Sequence, residues 1–207
     1  MTAVTVPSDV LEDSPDREPA AVSSPPVTTK QRILQAAEEV VLRDGVGHLT
    51  LDAAAAQAGL SKGGVLYHYP TRAALVSAMV TKIIDEFQRD IDDELTRTSG
   101  PGSFTRAYLR ATIPADVDGV PDHQDRVGAA VIAAAAAEPE LLAPLQEAFQ
   151  RWQAALAEDG LDPVVATVVR LASDGLWLCD LFGLGAPERL QRRELRTTLE
   201  RLTEVAR

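Results

Sequence analysis

The chain has 207 residues, 45% of them apolar, and a net charge of −11. That length holds one domain or two small ones with a packed core, and the single cysteine, Cys179, excludes an intrachain disulfide and a cysteine-based zinc site. No charge-free apolar run approaches the roughly 18 residues of a membrane span, and the first residues lack an export signal's basic start and apolar core, so the cytoplasm is the expected setting, with no membrane contact.

Residues 1–27 combine Pro, Ser and Val with five acids, Asp9, Glu12, Asp13, Asp16 and Glu18, against Arg17 alone. Such a composition buries too little apolar surface to offset chain entropy, which predicts a disordered acidic tail. From Thr29 a helical period begins, with Ile33, Ala37, Val40 and Val41 on one face, and Gly45 or Gly47 ends it.

The next stretch carries the chemistry. Thr50 is placed to cap a short Ala-rich helix over Ala53 to Ala58, Gly59 to stop it, Leu60 to fold back, and Ser61 to cap a second helix. Two capped helices about a glycine turn form the helix-turn-helix pattern, whose second helix enters the major groove of DNA. Gly63 and Gly64 fall in that helix's first turn, where each costs roughly 1 kcal/mol relative to Ala, so a purely structural helix would gain by losing them. With Val65 and Tyr69 facing inward, Lys62, Gly63, Leu66 and Tyr67 share the opposite face. A loop with a solvated lysine is the plainer alternative at this point.

Extended upstream, the run from Thr29 to Met79 resembles the DNA-binding domain of the tetracycline-repressor (TetR) family of bacterial transcriptional regulators. The markers are Arg32-Ile33-Leu34, Ala36-Ala37, Gly45, Thr50, Ala58-Gly59, Ser61-Lys62-Gly63, Tyr67-His68-Tyr69-Pro70, and Arg72 followed by Leu75. The resemblance implies that Thr50 and Ser61 sit near phosphates, that Lys62, Gly63, Gly64 and Tyr67, with His68, approach bases or backbone, and that Arg72 meets a phosphate. Leu66 stands where many relatives have a phosphate-contacting Tyr, so that role either shifts to Tyr67 or is lost. Ala54 and Ala56 replace a usual Ile and a frequent Arg.

After Pro70, with Thr71 as cap, a long helix carries Leu75, Met79, Ile83, Phe87, Ile91 and Leu95 at i+4 until Ser99-Gly100-Pro101-Gly102. About 25 residues at 1.5 Å each span nearly 40 Å, enough to join a head to a separate body. Further helices are expected over Ser103 to Ile113, Val127 to Ala137, Glu140 to Glu158, Pro163 through Cys179, and after Pro187 with Leu195, Leu199 and Leu202 as a seam. Between them, Pro114 to Arg126 is an acidic loop. Its Asp116, Asp118, Asp122, His123 and Asp125 do not make a metal site, because Val127 stands where a calcium loop needs its last acid and one His offers no second nitrogen.

The predicted fold is all-α: a three-helix head at 28–74, and a helical ligand-binding and dimerisation body at 75–207 reached by the long helix. No cofactor is implied. Phe149, Trp152 and Trp177 are the candidate walls of an effector pocket, with ordinary core as the alternative. Asp174 and Asp180 are read as pointing to solvent or across a dimer interface rather than at a cationic ligand. Residues 28–72 carry +1, the tail −4 and the remaining 135 residues −8, an asymmetry that turns the head toward DNA and implies a shallow salt dependence. The functional expectation is a repressor that binds a palindromic double-stranded DNA operator as a homodimer and is released by a small apolar or aromatic effector. A helical-bundle enzyme is disfavoured by the lack of a Glu-x-x-His pair, a phosphate loop or a nucleophile with His and acid partners; a helical interaction or architectural protein without an inducer is the other alternative.

Overall fold

Thr28 opens the first helix with a reciprocal cap: its hydroxyl accepts from the Gln31 amide while its own amide donates to Gln31 Oε1 at 2.9 Å. Helix α1 (Thr29–Asp44) ends at Gly45, whose φ of 83° favours glycine. The structure is a computed structural model describing residues 27–114, 123–136 and 138–204; the expected acidic tail, except for Val27, and Asp116, Asp118 and Asp122 of the expected loop lie outside the described residues. A single 3-10 turn (Val46–His48) leads to α2 (Leu51–Ala58) and α3 (Lys62–His68).

The long helix α4 (Arg72–Leu95) starts at Thr71, which accepts from the Ala74 amide. It stops short of the glycine-proline run because the Thr96 and Thr98 hydroxyls donate back to the carbonyls of Asp93 and Glu94, competing with the helix ladder. Then come α5 (Ser103–Thr112) and α6 (His123–Ala136). Helix α6 takes in His123 to Arg126, which the sequence had suggested were loop.

The single helix expected from Glu140 is instead a 3-10 turn (Pro139–Leu142) followed by α7 (Ala143–Ala157). Pro144 explains the break: it lacks an amide hydrogen, so it belongs in a first turn and not in a helix interior. Helix α8 (Pro163–Phe182) is capped by Asp162, and α9 (Arg189–Leu202) closes the described chain. There are no strands among the described residues.

One buried apolar cluster runs from the head into the body. It joins Ile33, Ala37 and Val40 of α1 to Leu75, Met79 and Ile84 of α4, and continues to Tyr108, Val131 and Trp152. Each fully buried aliphatic chain contributes about 1.5–3 kcal/mol, so α1 to α4 and the middle helices are held as one packed unit. The buried Glu38 carboxylate, which accepts from Lys82 Nζ at 2.5 Å, fixes α1 against α4. A smaller cluster, Leu109, Ile113, Val169, Leu176 and Leu199, ties α8 and α9 to α5. In α9 the seam departs from expectation: Leu202 is exposed and Arg192 is buried, paired with Asp180.

Candidate nucleic-acid interface and effector region

Thr50 accepts from the Ala53 amide at 3.0 Å and Ser61 from the Gly64 amide at 3.1 Å, so each hydroxyl caps its helix and keeps its own hydrogen free to donate outward. Gly59, at φ 64°, lets the Leu60 amide bond back to the Ala55 carbonyl at 2.9 Å, which sets the angle between α2 and α3. Val65 and Tyr69 are buried beneath α3, and the Tyr69 phenol lies 3.4 Å from the Lys30 carbonyl. Burial raises the Tyr69 pKa to about 12.

The opposite face is turned to solvent. Tyr67 is 86% exposed and Leu66 39%, with Lys62 and Gly63 beside them. His68 packs its ring edge-on to Tyr67 at 5.0 Å. The two glycines answer no internal need: neither has positive φ, and a Cβ would meet nothing nearer than 3.9 Å at Gly63 or 3.5 Å at Gly64. Of the eight residues anticipated for DNA, Thr50 and Ser61 cap α2 and α3, and Lys62, Gly63, Gly64, Tyr67 and His68 lie on α3 itself, exposed or partly exposed.

Arg72, expected to meet a phosphate, has internal partners. Its guanidinium is engaged internally, donating to the Leu49 carbonyl at 3.0 Å, the Val46 carbonyl at 3.4 Å and the Glu138 carboxylate at 2.9 Å. These bonds lock the turn before α2 to the start of α4 and to the end of the α6 segment. Glu138 lies 66 positions away, so nothing local in the sequence announces the pair.

In the body, Phe87, Tyr108, Phe149 and Trp152 pack edge to face with centroids 5.0–6.0 Å apart. Trp152 is buried and donates its indole hydrogen to Gln88 at 2.8 Å. Phe149 stands at the cluster's edge, where it helps line an open groove of about 500 Å³ with Gln150, Gln153, Ala154, Ala157 and Arg170. Trp177 is half-buried on α8 and does not line that groove. The three aromatic candidates are therefore not one wall.

Asp174 and Asp180 also differ from expectation, since both are held by internal partners. Tyr108 donates to Asp174 at 2.7 Å and Arg170 donates to it at 2.9 Å, while Arg192 donates to Asp180 at 2.9 Å. Desolvation pushes both carboxyl pKa values up, against the pull of the neighbouring arginines. Periodicity alone missed these pairs because the partners lie on other turns or other helices.

Two capped helices with an outward polar and aromatic face, carried by a long helix on an all-α body, define a helix-turn-helix DNA-binding protein. Family models agree on the kind: residues 33–79 match the bacterial regulatory proteins of the tetR family, and residues 102–204 the tetracyclin repressor-like C-terminal domain. The chain belongs to the TetR family of transcriptional regulators, which are non-enzymatic DNA-binding proteins. Solved structures share the fold. The multidrug binding protein EbrR complexed with malachite green is 26% identical, with a TM-score of 0.64 over 85% of this chain and 98% of that one. A TetR-family member from Streptomyces coelicolor A3 is 23% identical, with a TM-score of 0.66 over 86% and 99%. A comparison with curated proteins finds no match. Among the described residues no helix is long and apolar enough to cross a membrane.

Proposed function

We propose that this regulator is a cytoplasmic repressor that binds a palindromic operator as a homodimer and leaves it when a small apolar or aromatic effector occupies the body. The observation that carries the DNA-facing assignment is the glycine pair: a helix gives up roughly 0.5–1 kcal/mol at each such position, the fold has no use for either, and close approach of a large partner gives a reason for both. Lys62, Gly63, Gly64, Tyr67 and His68 would lie toward bases and backbone, with Thr50 and Ser61 donating to phosphates. Arg72 is assigned a supporting role, holding the Leu49 carbonyl and so the entry to α2. On this reading the head spans 28–74 and the body 75–207, with 1–27 as an appendage.

The dimer assignment rests on α8. Val164, Val168, Leu171, Leu178 and Phe182 recur at helical spacing and are all exposed, an apolar stripe that water would not favour. A second copy, related by a two-fold axis, would cover it with the same stripe and set two α3 helices about 34 Å, or a multiple of one turn, apart.

The effector assignment rests on the groove beside Phe149 and on the aromatic cluster that packs against Phe149. EbrR is a relative in fold whose structures include complexes with malachite green and ethidium, which favours an aromatic ligand here. A ligand acts only through its preference for one conformation, and the α6 segment, bonded to the head through Glu138 and Arg72, is the natural carrier of that preference.

The test is capture of genomic fragments by the purified chain, followed by affinity measurements on the recovered site with Lys62→Ala and Tyr67→Ala. A palindrome bound by two copies, weakened about tenfold or more in each variant without loss of helix content, is the expected result. Recovery of no specific site, or wild-type affinity in both variants, would sink the assignment of α3.

A further inference from the structure

The head carries few cations, and carboxylates of the head or the body hold three of them. Arg43 donates to Asp44, Arg72 to Glu138, and Lys62 Nζ lies 2.8 Å from Asp52 Oδ2. The third pair stands apart because Lys62 belongs to the outward face of α3. Asp52 sits in the first turn of α2, beside the Thr50 cap, and both members of the pair are more than half exposed.

We propose that Asp52 is an affinity-limiting residue of the DNA-binding surface: it holds the Lys62 ammonium against α2 in the free protein and competes with duplex phosphates for it. The proposal rests on the reading of α3 as the DNA-facing helix. Sequence-independent duplex binding is almost wholly electrostatic, and each cation that neutralises a phosphate adds about 0.9 to the slope of log affinity against log salt. A carboxylate already seated on one of these cations removes part of that contribution and adds repulsion of its own. The consequence is a head that grips arbitrary DNA weakly and depends on the fit of a particular site.

A merely structural Asp52 makes the opposite forecast. An acid in a first turn complements the helix dipole, so its loss would soften α2 and weaken DNA binding. The two accounts therefore differ in sign.

The experiment uses the full chain and a labelled duplex of arbitrary sequence, titrated across a salt series, with Asp52→Asn, Asp52→Glu, Lys62→Ala and the Asp52→Asn/Lys62→Ala pair. Asp52→Asn is expected to bind about two- to fivefold tighter per head at low salt, the range of an exposed ion pair. Its salt slope should steepen by a part of the roughly 0.9 per head that one fully committed cation adds. Asp52→Glu should resemble the starting protein, and the gain should largely vanish in the Lys62→Ala background. Unchanged or weaker binding by Asp52→Asn, or the same gain with and without Lys62, overturns the proposal. If Lys62→Ala alone leaves affinity and slope untouched, the assignment of Lys62 to DNA fails and the proposal falls with it.

Discussion

On α3 the uncovered positions hold Lys62, Gly63, Leu66 and Tyr67; on α8 they hold Val164, Val168, Leu171, Leu178 and Phe182. Both faces lie opposite a buried one, Val65 in the first case and Ala166, Val169 and Leu176 in the second. The chemistry differs. The α3 face has a cation, two missing side chains and a phenol, so it offers charge, close approach and a stacking edge. The α8 face has only hydrocarbon in its stripe, so it offers area. Each helix buries one face in its own cluster and leaves the other bare, and on the proposed reading each bare face suits a different partner: nucleic acid for α3 and a second copy for α8.

A charge placed on the α8 stripe attacks the comparison hardest. Leu171→Glu is expected to give a folded monomer by sedimentation and to weaken operator binding by about 10²–10⁴, the advantage of holding two heads together. If that variant stays dimeric, the stripe is not the interface.

Next in size is the contrast between buried and bordering aromatics. Trp152→Ala should cost about 3–5 kcal/mol in urea unfolding because it empties the centre of the aromatic cluster. Phe149→Ala, at the groove, should cost distinctly less and should instead loosen binding of an aromatic dye. Equal costs would place Phe149 in the core and remove the groove from consideration.

The smallest effect concerns the inner side of α3. Burial raises the Tyr69 pKa to about 12 from the ordinary phenol value of 10.0, so folding favours the protonated phenol. That contribution is complete below about pH 10 and is lost as pH rises through about 12. Tm should therefore decline across that window by more than in Tyr69→Phe, which has no phenol to ionise. Identical declines would mean that Tyr69 is not held as described.

The head was legible in the sequence because its signals are local. Thr50, Ser61 and Thr71 each bond an amide three residues on, and Gly59 turns the chain within one residue, so spacing alone places them. What spacing did not show was non-local. Arg72, expected to meet a phosphate, bonds Glu138 and the Val46 and Leu49 carbonyls, and Asp174, expected to face solvent or a dimer interface, bonds Tyr108 and Arg170. The pairing of Lys62 with Asp52 spans ten positions and two helices, and only the angle between α2 and α3 brings it about. Pro144 is a local signal of the same kind as the caps, since a proline belongs in a first turn and so divides the 3-10 turn from α7.

The most direct measurement is of Gly63→Ala, followed by two readouts on the same preparation: thermal stability and operator affinity. With nothing within 3.9 Å of the added methyl inside the chain, Tm is expected to rise while affinity falls about tenfold or more, stability and binding moving in opposite directions. A variant that is more stable and binds DNA as well as before would contradict the account, because the glycine would then serve neither the fold nor its partner.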